Sequence, residues 1–205
     1  MCNSLVNAYL CIMNLTEKQK EIVKVAKRLI STKGYAETTM RDLADALRIK
    51  ASSIYSHFSS KEAILVAICE ENFAKMTSIK KEIDMMEGSA DEKFARYSLL
   101  HLKSLFENFE SFEIYYDYHL VVDHLVQRKY GMFNYEYFAF FSELVNNVLP
   151  YEEDLDCFIK NASVLFVLDA LNALPKFINL ENPDLEGVAE DFTYRMIYGY
   201  HKDMQ

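Results

Sequence analysis

The sequence predicts an all-α protein, and three observations carry that expectation. Only five glycines and three prolines occur in 205 residues, too few turn residues for a many-stranded sandwich or barrel. Apolar residues recur at three- and four-residue intervals, the period of a helix face. Capping-box signals stand directly before several of those runs, where a helix N-terminus needs side-chain oxygens for its unpaired N–H groups.

The first box, Thr16 to Gln19, predicts a helix over 16–33, with Ile22, Val25, Ala26, Leu29 and Ile30 as its buried stripe and Gly34 as its stop. A second box, Thr39 to Asp42, opens a short helix that ends near Leu47 and carries Met40, Leu43, Ala44 and Leu47 on one face. After the turn Arg48-Ile49-Lys50 comes a brief helix on which Ala51, Ile54 and Phe58 share one face. Ser52, Ser53, Tyr55, Ser56 and His57 point mostly elsewhere, so this segment spends hydroxyl and aromatic groups on its outside. A third box, Ser59 to Glu62, launches a long helix towards Met85. Further helices are expected over 91–109, 112–126, 134–148, 152–174 and 184–202, with Gly131, Pro150 and Pro175 among the breaks.

The net charge of −9 conceals an asymmetry. Residues 15–65 hold ten Lys/Arg against six Asp/Glu, whereas residues 66–205 hold twelve against twenty-five. A basic module therefore precedes an acidic one, and the basic one has the charge for a nucleic-acid partner. Cys2, Cys11, Cys69 and Cys157 show neither CxxC nor Cys/His spacing. No zinc site or disulfide framework is expected, and a reducing cytosol suits them. No apolar run approaches the roughly 18 to 20 residues that cross a bilayer, so a soluble, cytoplasmic protein without membrane partners is expected. Residues 1–14 lack a basic n-region and a cleavage site, and read as an unpacked arm or an alternative start.

Two short helices joined by a tight turn inside a basic three-helix unit are the arrangement that puts a recognition helix into the major groove. An ordinary helical hairpin shares that outline, so spacing alone leaves both readings open. The residues are more specific. Gly34-Tyr35, Thr38 to Ala44, Ile49 to Phe58 and Ser60-Lys61-Glu62 occur together and in order. Over about 16–65 this pattern closely resembles the DNA-binding domain of the TetR family of bacterial transcriptional regulators. The resemblance implies a helix-turn-helix domain at 15–65, whose fourth helix runs on to about 84, and a helical ligand-binding and dimerisation domain at 66–205. Two positions depart from the family pattern. Arg48 stands where glycine is common, and Lys50 occupies the usual Ser/Thr cap.

The resemblance and the side-chain chemistry together give a DNA-binding set of Thr39, Arg41, Lys50, Ala51, Ser52, Ser53, Tyr55, Ser56, His57 and Lys61. Thr39 brings a hydroxyl and free backbone N–H groups to a phosphate. Lys50, Tyr55, His57 and Lys61 match positions that touch the DNA backbone or, for His57, a thymine methyl. Ala51, Ser52, Ser53 and Ser56 are small enough to let the helix sit deep, with hydroxyls for base edges. The ring of Tyr55 has packing against the first helix as its alternative role.

The acidic part is dense in aromatic residues between Phe94 and Phe141. Such rings are either core or the walls of a ligand cavity. The family resemblance implies an effector site, and Phe106, Tyr115, Tyr118, His119, Phe133, Tyr137 and Phe141 are its candidate lining, for a small, largely apolar molecule. His119, Asp123 and His124 are too few to make a metal site, and neither a phosphate loop nor a Gly-x-Ser-x-Gly nucleophile turn occurs, so no metal, cofactor or catalysis is expected. The apolar faces of the last two helices suit a homodimer built as a four-helix bundle. The expected function is a sequence-specific regulator, a repressor released from a pseudo-palindromic duplex operator by a small-molecule effector. The competing expectation is a helical ligand-binding or protein-interaction module that has lost operator binding.

Overall fold

A computed structural model describes residues 15–118, 124–149, 157–178 and 183–199. Nine α-helices are found among the described residues: α1 Glu17–Lys33, α2 Met40–Leu47, α3 Ala51–Tyr55, α4 Lys61–Met85, α5 Ala90–Glu107, α6 Phe109–Tyr118, α7 His124–Asn146, α8 Cys157–Ala173 and α9 Leu185–Tyr198. A single 3₁₀ turn, Leu174–Lys176, follows α8 and carries the buried Pro175.

The local signals at the first two helices act as the sequence predicts. At α1 the Thr16 hydroxyl accepts from the Gln19 backbone N–H and the Gln19 side chain reaches back to the Thr16 N–H. Thr39 and Asp42 make the same reciprocal pair at α2. Three expectations need correction. The short helix ends at Tyr55, because the N–H groups of His57 and Phe58 both turn onto the Ile54 carbonyl. The cap of α4 is Ser60, whose oxygen accepts from the Ala63 N–H at 3.2 Å; the box is displaced by one residue, and Ala63 has no side chain to complete it. Gly131 does not break a helix. It lies inside α7, consistent with a cost of only about 1 kcal/mol for one glycine in a long hydrogen-bonded ladder.

The chain forms two compact units: residues up to Thr77 with Asn108–Phe133, and Ser78–Glu107 with the chain from Asn134 onwards. The first unit thus holds α1, α2, α3, most of α4 and α6. In the first unit, Ile22, Val23 and Ala26 of α1, Leu43 of α2, Ile54 of α3 and Ile64 and Leu65 of α4 are at most 1% exposed. Each such aliphatic side chain contributes about 1.5–3 kcal/mol relative to leaving it in water. The α1 helix also packs against α6, and Glu71 of α4 bridges the two, pairing with Lys27 at 2.8 Å and accepting from the Ser111 hydroxyl at 3.5 Å.

The second unit packs α9 and α8 against α5. Phe94 and Phe192 bring their rings to 6.4 Å, and Tyr97 is fully buried beside Phe141 at 5.1 Å. A polar chain runs through this apolar core. His101 Nε2 lies 2.8 Å from Asn172 Oδ1, which can only accept, so Nε2 carries the proton. The bare Nδ1 then accepts from the Tyr97 hydroxyl at 3.4 Å, and the Tyr97 oxygen accepts from Tyr137 at 2.6 Å. Burial pushes the His101 pKa down to about 4, against the upward pull of Asn172. The ring is neutral at pH 7.

Candidate nucleic-acid interface

The interface is built on two helices and the turn between them. Arg48 caps α2 in the left-handed region at φ 56° and ψ 39°, and its N–H bonds back to the carbonyls of Ala44 and Asp45. A side chain there costs on the order of 1 kcal/mol relative to glycine. The turn nevertheless closes, so Arg48 does not disrupt the helix pair. Lys50 precedes α3 in an extended conformation and makes no side-chain cap bond, which leaves its ammonium without that local role.

Two anchors fix the face that α3 shows. Ile54 is 0% exposed and Phe58 is buried as well, so Ser52, Tyr55 and Ser56 are turned outwards and are exposed. Tyr55 is 54% exposed. Ala51, Ser53 and His57 are half-buried at the edge of this surface. The Ser56 hydroxyl donates to the Ser53 carbonyl at 2.8 Å. Thr39, Arg41 and Lys50 are exposed on the same helix pair.

The supporting contacts are less visible in the sequence. The Thr39 hydroxyl donates to Asp42 Oδ2 at 2.6 Å, and Lys33 pairs with that oxygen at 2.7 Å. The hydrogen bond from Lys33, followed by those from Thr39, holds the Asp42 carboxyl well below the usual range. Asp42 is thus ionised and fastens the end of α1 to the start of α2. Lys61 donates to the Tyr35 carbonyl at 2.7 Å and to the Ala36 carbonyl at 3.2 Å. The Tyr35 hydroxyl donates to Glu62 at 3.3 Å. Burial first, and Glu62 second, raise the Tyr35 phenol above its ordinary pKa. Sequence reading gave Lys61 only a role at the DNA backbone and missed this clamp.

The geometry is that of a helix-turn-helix: a capped first helix, a left-handed residue, and a short second helix held by two core side chains with its polar face outwards. Residues 22–68 match the family model for bacterial regulatory proteins of the tetR family. This stretch is therefore similar to the N-terminal domain of tetR-type regulators. The uncharacterized HTH-type transcriptional regulator YerO of Bacillus subtilis is 36% identical over 73 residues, which are 34% of this chain and 25% of that protein. The HTH-type transcriptional repressor AcnR of Corynebacterium diphtheriae is 30% identical over 77 residues, 38% of this chain and 40% of the repressor. The matched stretch therefore spans about a quarter to two fifths of the length of these relatives. The fold likeness is wider. A TetR-family regulator from Bordetella parapertussis superposes with a TM-score of 0.83 at 15% identity, covering 90% of this chain and 96% of that one.

The expected effector residues are distributed over several elements. Phe106 is half-buried on α5, and Tyr137 and Phe141 are buried one turn apart on α7, both against Tyr97. Tyr115 and Tyr118 fall on α6 and Phe133 on α7, with side chains outside the described set, and His119 lies outside the described residues. Among the described residues no group of three His, Cys, Asp or Glu side chains is arranged to hold a metal, and no helix is long and apolar enough to cross a membrane.

Proposed function

We propose that this protein is a sequence-specific, DNA-binding transcriptional regulator of the cytoplasm and not an enzyme, acting as a repressor that a small, largely apolar molecule releases from its operator. The observation that carries this reading is the α2–α3 pair, with Ile54 and Phe58 buried and Ser52, Tyr55 and Ser56 exposed, inside the stretch that matches the family model. The roles assigned to the DNA-binding residues follow from that surface. Lys50, Tyr55, His57 and Lys61 hold the phosphates, Thr39 adds the α2 N-terminus, and Ser52, Ser53 and Ser56 meet base edges. The repressor AcnR supports the direction of control.

Homodimerisation through the last two helices is supported by their surface. Leu165 and Phe166 of α8 are 49% and 67% exposed. A groove of about 670 Å³ between α8 and α9 is lined by Phe166, Ala170, Val188 and Met196 together with the charged Asp191 and Arg195. Burying such a patch against its symmetry mate gives a two-fold dimer, whose recognition helices address successive major grooves of a pseudo-palindrome. For the effector, the Tyr137 and Phe141 side of α7 supplies rings with a hydroxyl at one end, as suits an apolar molecule with a polar tip.

A salt titration of binding to duplex DNA tests the reading. Affinity should fall steeply and log-linearly with salt, and sedimentation should give a dimer at micromolar concentration. Binding that is absent at low salt, or a monomer with and without DNA, overturns it.

A further inference from the structure

The α3 helix ends two residues before the carbonyl of His57. The N–H groups of His57 and Phe58 both bond to Ile54, while the His57 carbonyl takes its bond from elsewhere. It is met from 38 residues upstream: Gln19 Nε2 donates to the His57 oxygen at 3.1 Å in a part-buried contact. The same amide's oxygen accepts from the Thr16 N–H at 2.9 Å and the Thr16 hydroxyl at 3.1 Å. One side chain thus caps the start of α1 with its oxygen and holds the end of α3 with its nitrogen. Lysine, arginine or glutamate in its place would do only one of these, since none has both a neutral acceptor and a donor on one planar group.

We propose that Gln19 is a positioning residue for operator recognition, setting the backbone of the 56–58 turn and with it the approach of Ser56 and His57 to the DNA. The proposal rests on the reading of α3 as a recognition helix. Displacing a contact group by about 1 Å is enough to lose a hydrogen bond to a base edge, whereas phosphate contacts tolerate such shifts. Gln19 therefore acts on preference between sequences more than on general affinity for DNA.

Two single substitutions separate its two bonds. Gln19→Glu keeps the Thr16 capping box, for which glutamate is a standard partner, and removes the donor to His57. Thr16→Ala breaks the box and leaves the amide to His57. The probes are a duplex selected by the wild-type chain from random sequence and an unselected duplex of equal length. Gln19→Glu should lower the ratio of selected to unselected binding by roughly 3- to 10-fold, the size of one net hydrogen bond, and Thr16→Ala should leave that ratio unchanged. A preserved ratio in Gln19→Glu, or an equal loss for both duplexes, overturns the proposal. Amide exchange at His57 and Phe58 without DNA gives a second reading: it should quicken in Gln19→Glu but not in Thr16→Ala, and unchanged exchange also overturns the tether. If the wild-type chain selects no duplex, the DNA-binding reading fails while exchange still decides the tether.

Discussion

Lys61 and Tyr35 meet twice: the lysine ammonium lies 2.7 Å from the tyrosine carbonyl oxygen and 4.3 Å above the centre of its ring. The first residue of α4 thereby holds the turn that leads from α1 into α2. An ammonium has three donors, and the carbonyls of Tyr35 and Ala36 take two. Neither carbonyl carries a formal negative charge, so these bonds leave the positive charge of Lys61 uncompensated by their acceptors.

Lys61→Ala should consequently have two separable effects. Loss of the clamp lowers unfolding stability by about 1–2 kcal/mol, as for hydrogen bonds from a charged donor at a partly solvated site. Loss of one phosphate contact lowers the salt slope of DNA binding by roughly 0.9. Chemical denaturation measures the first and a salt titration the second. A stability loss with an unchanged slope would assign Lys61 wholly to the clamp.

Arg48 offers a prediction of opposite sign. Its φ of 56° is the single positive value at a non-glycine position among the described residues, and its side chain is exposed. Arg48→Gly should raise stability by up to about 1 kcal/mol through relief of left-handed strain, with the greater unfolded-state freedom of glycine offsetting part of it. Thermal melting checks this. A lower melting temperature would mean that Arg48 makes a compensating contact.

The buried His101 makes stability depend on pH. Its folded pKa is near 4, below the ordinary 6.5, so between these values the unfolded chain binds more protons than the folded one. Stability then rises with pH across this window. The contribution is complete above about pH 6.5 and disappears as pH falls towards 4, amounting to about 3 kcal/mol at most. Urea unfolding at pH 7 and pH 4.5 should show this loss. His101→Gln, which keeps a donor for Asn172 without the titration, should flatten the difference. Equal pH slopes in both proteins would place the acid sensitivity elsewhere.

How legible each feature was depends on sequence distance. The Thr16–Gln19 and Thr39–Asp42 boxes are four-residue patterns, and both form as read. Ile54 and Phe58 follow from helical spacing, and both are buried. The contacts that escaped notice join distant residues of unlike type: Gln19 with His57, Lys61 with Tyr35, and His101 with Asn172, 71 positions apart. No local pattern announces such pairs, because only the packing of one helix on another brings them together. The end of α3 was misjudged for a related reason. Helical spacing continues through Phe58, but the competing hydrogen bonds at Ile54 turn the chain after Tyr55.

Release by an effector sets a thermodynamic condition that can be tested without knowing the operator's genes. A ligand shifts the balance between DNA-bound and free protein only through a difference in its affinity for the two. Both α4 and α7 run continuously across the boundary between the compact units, and Glu71 ties α4 to α1 through Lys27 while also accepting from Ser111 of α6. Removing that tie should weaken coupling without touching either ligand. By reciprocity, an effector that weakens operator binding 5- to 150-fold, a coupling of roughly 1 to 3 kcal/mol, must itself bind the operator complex weaker by the same factor. Titrations of effector into free protein and into the operator complex measure one side of this cycle, and operator titrations with and without effector measure the other. Glu71→Gln should reduce the factor on both sides equally. Equal effector affinity for the free and operator-bound wild-type protein would end the induction mechanism and return Tyr137 and Phe141 to the role of an ordinary core.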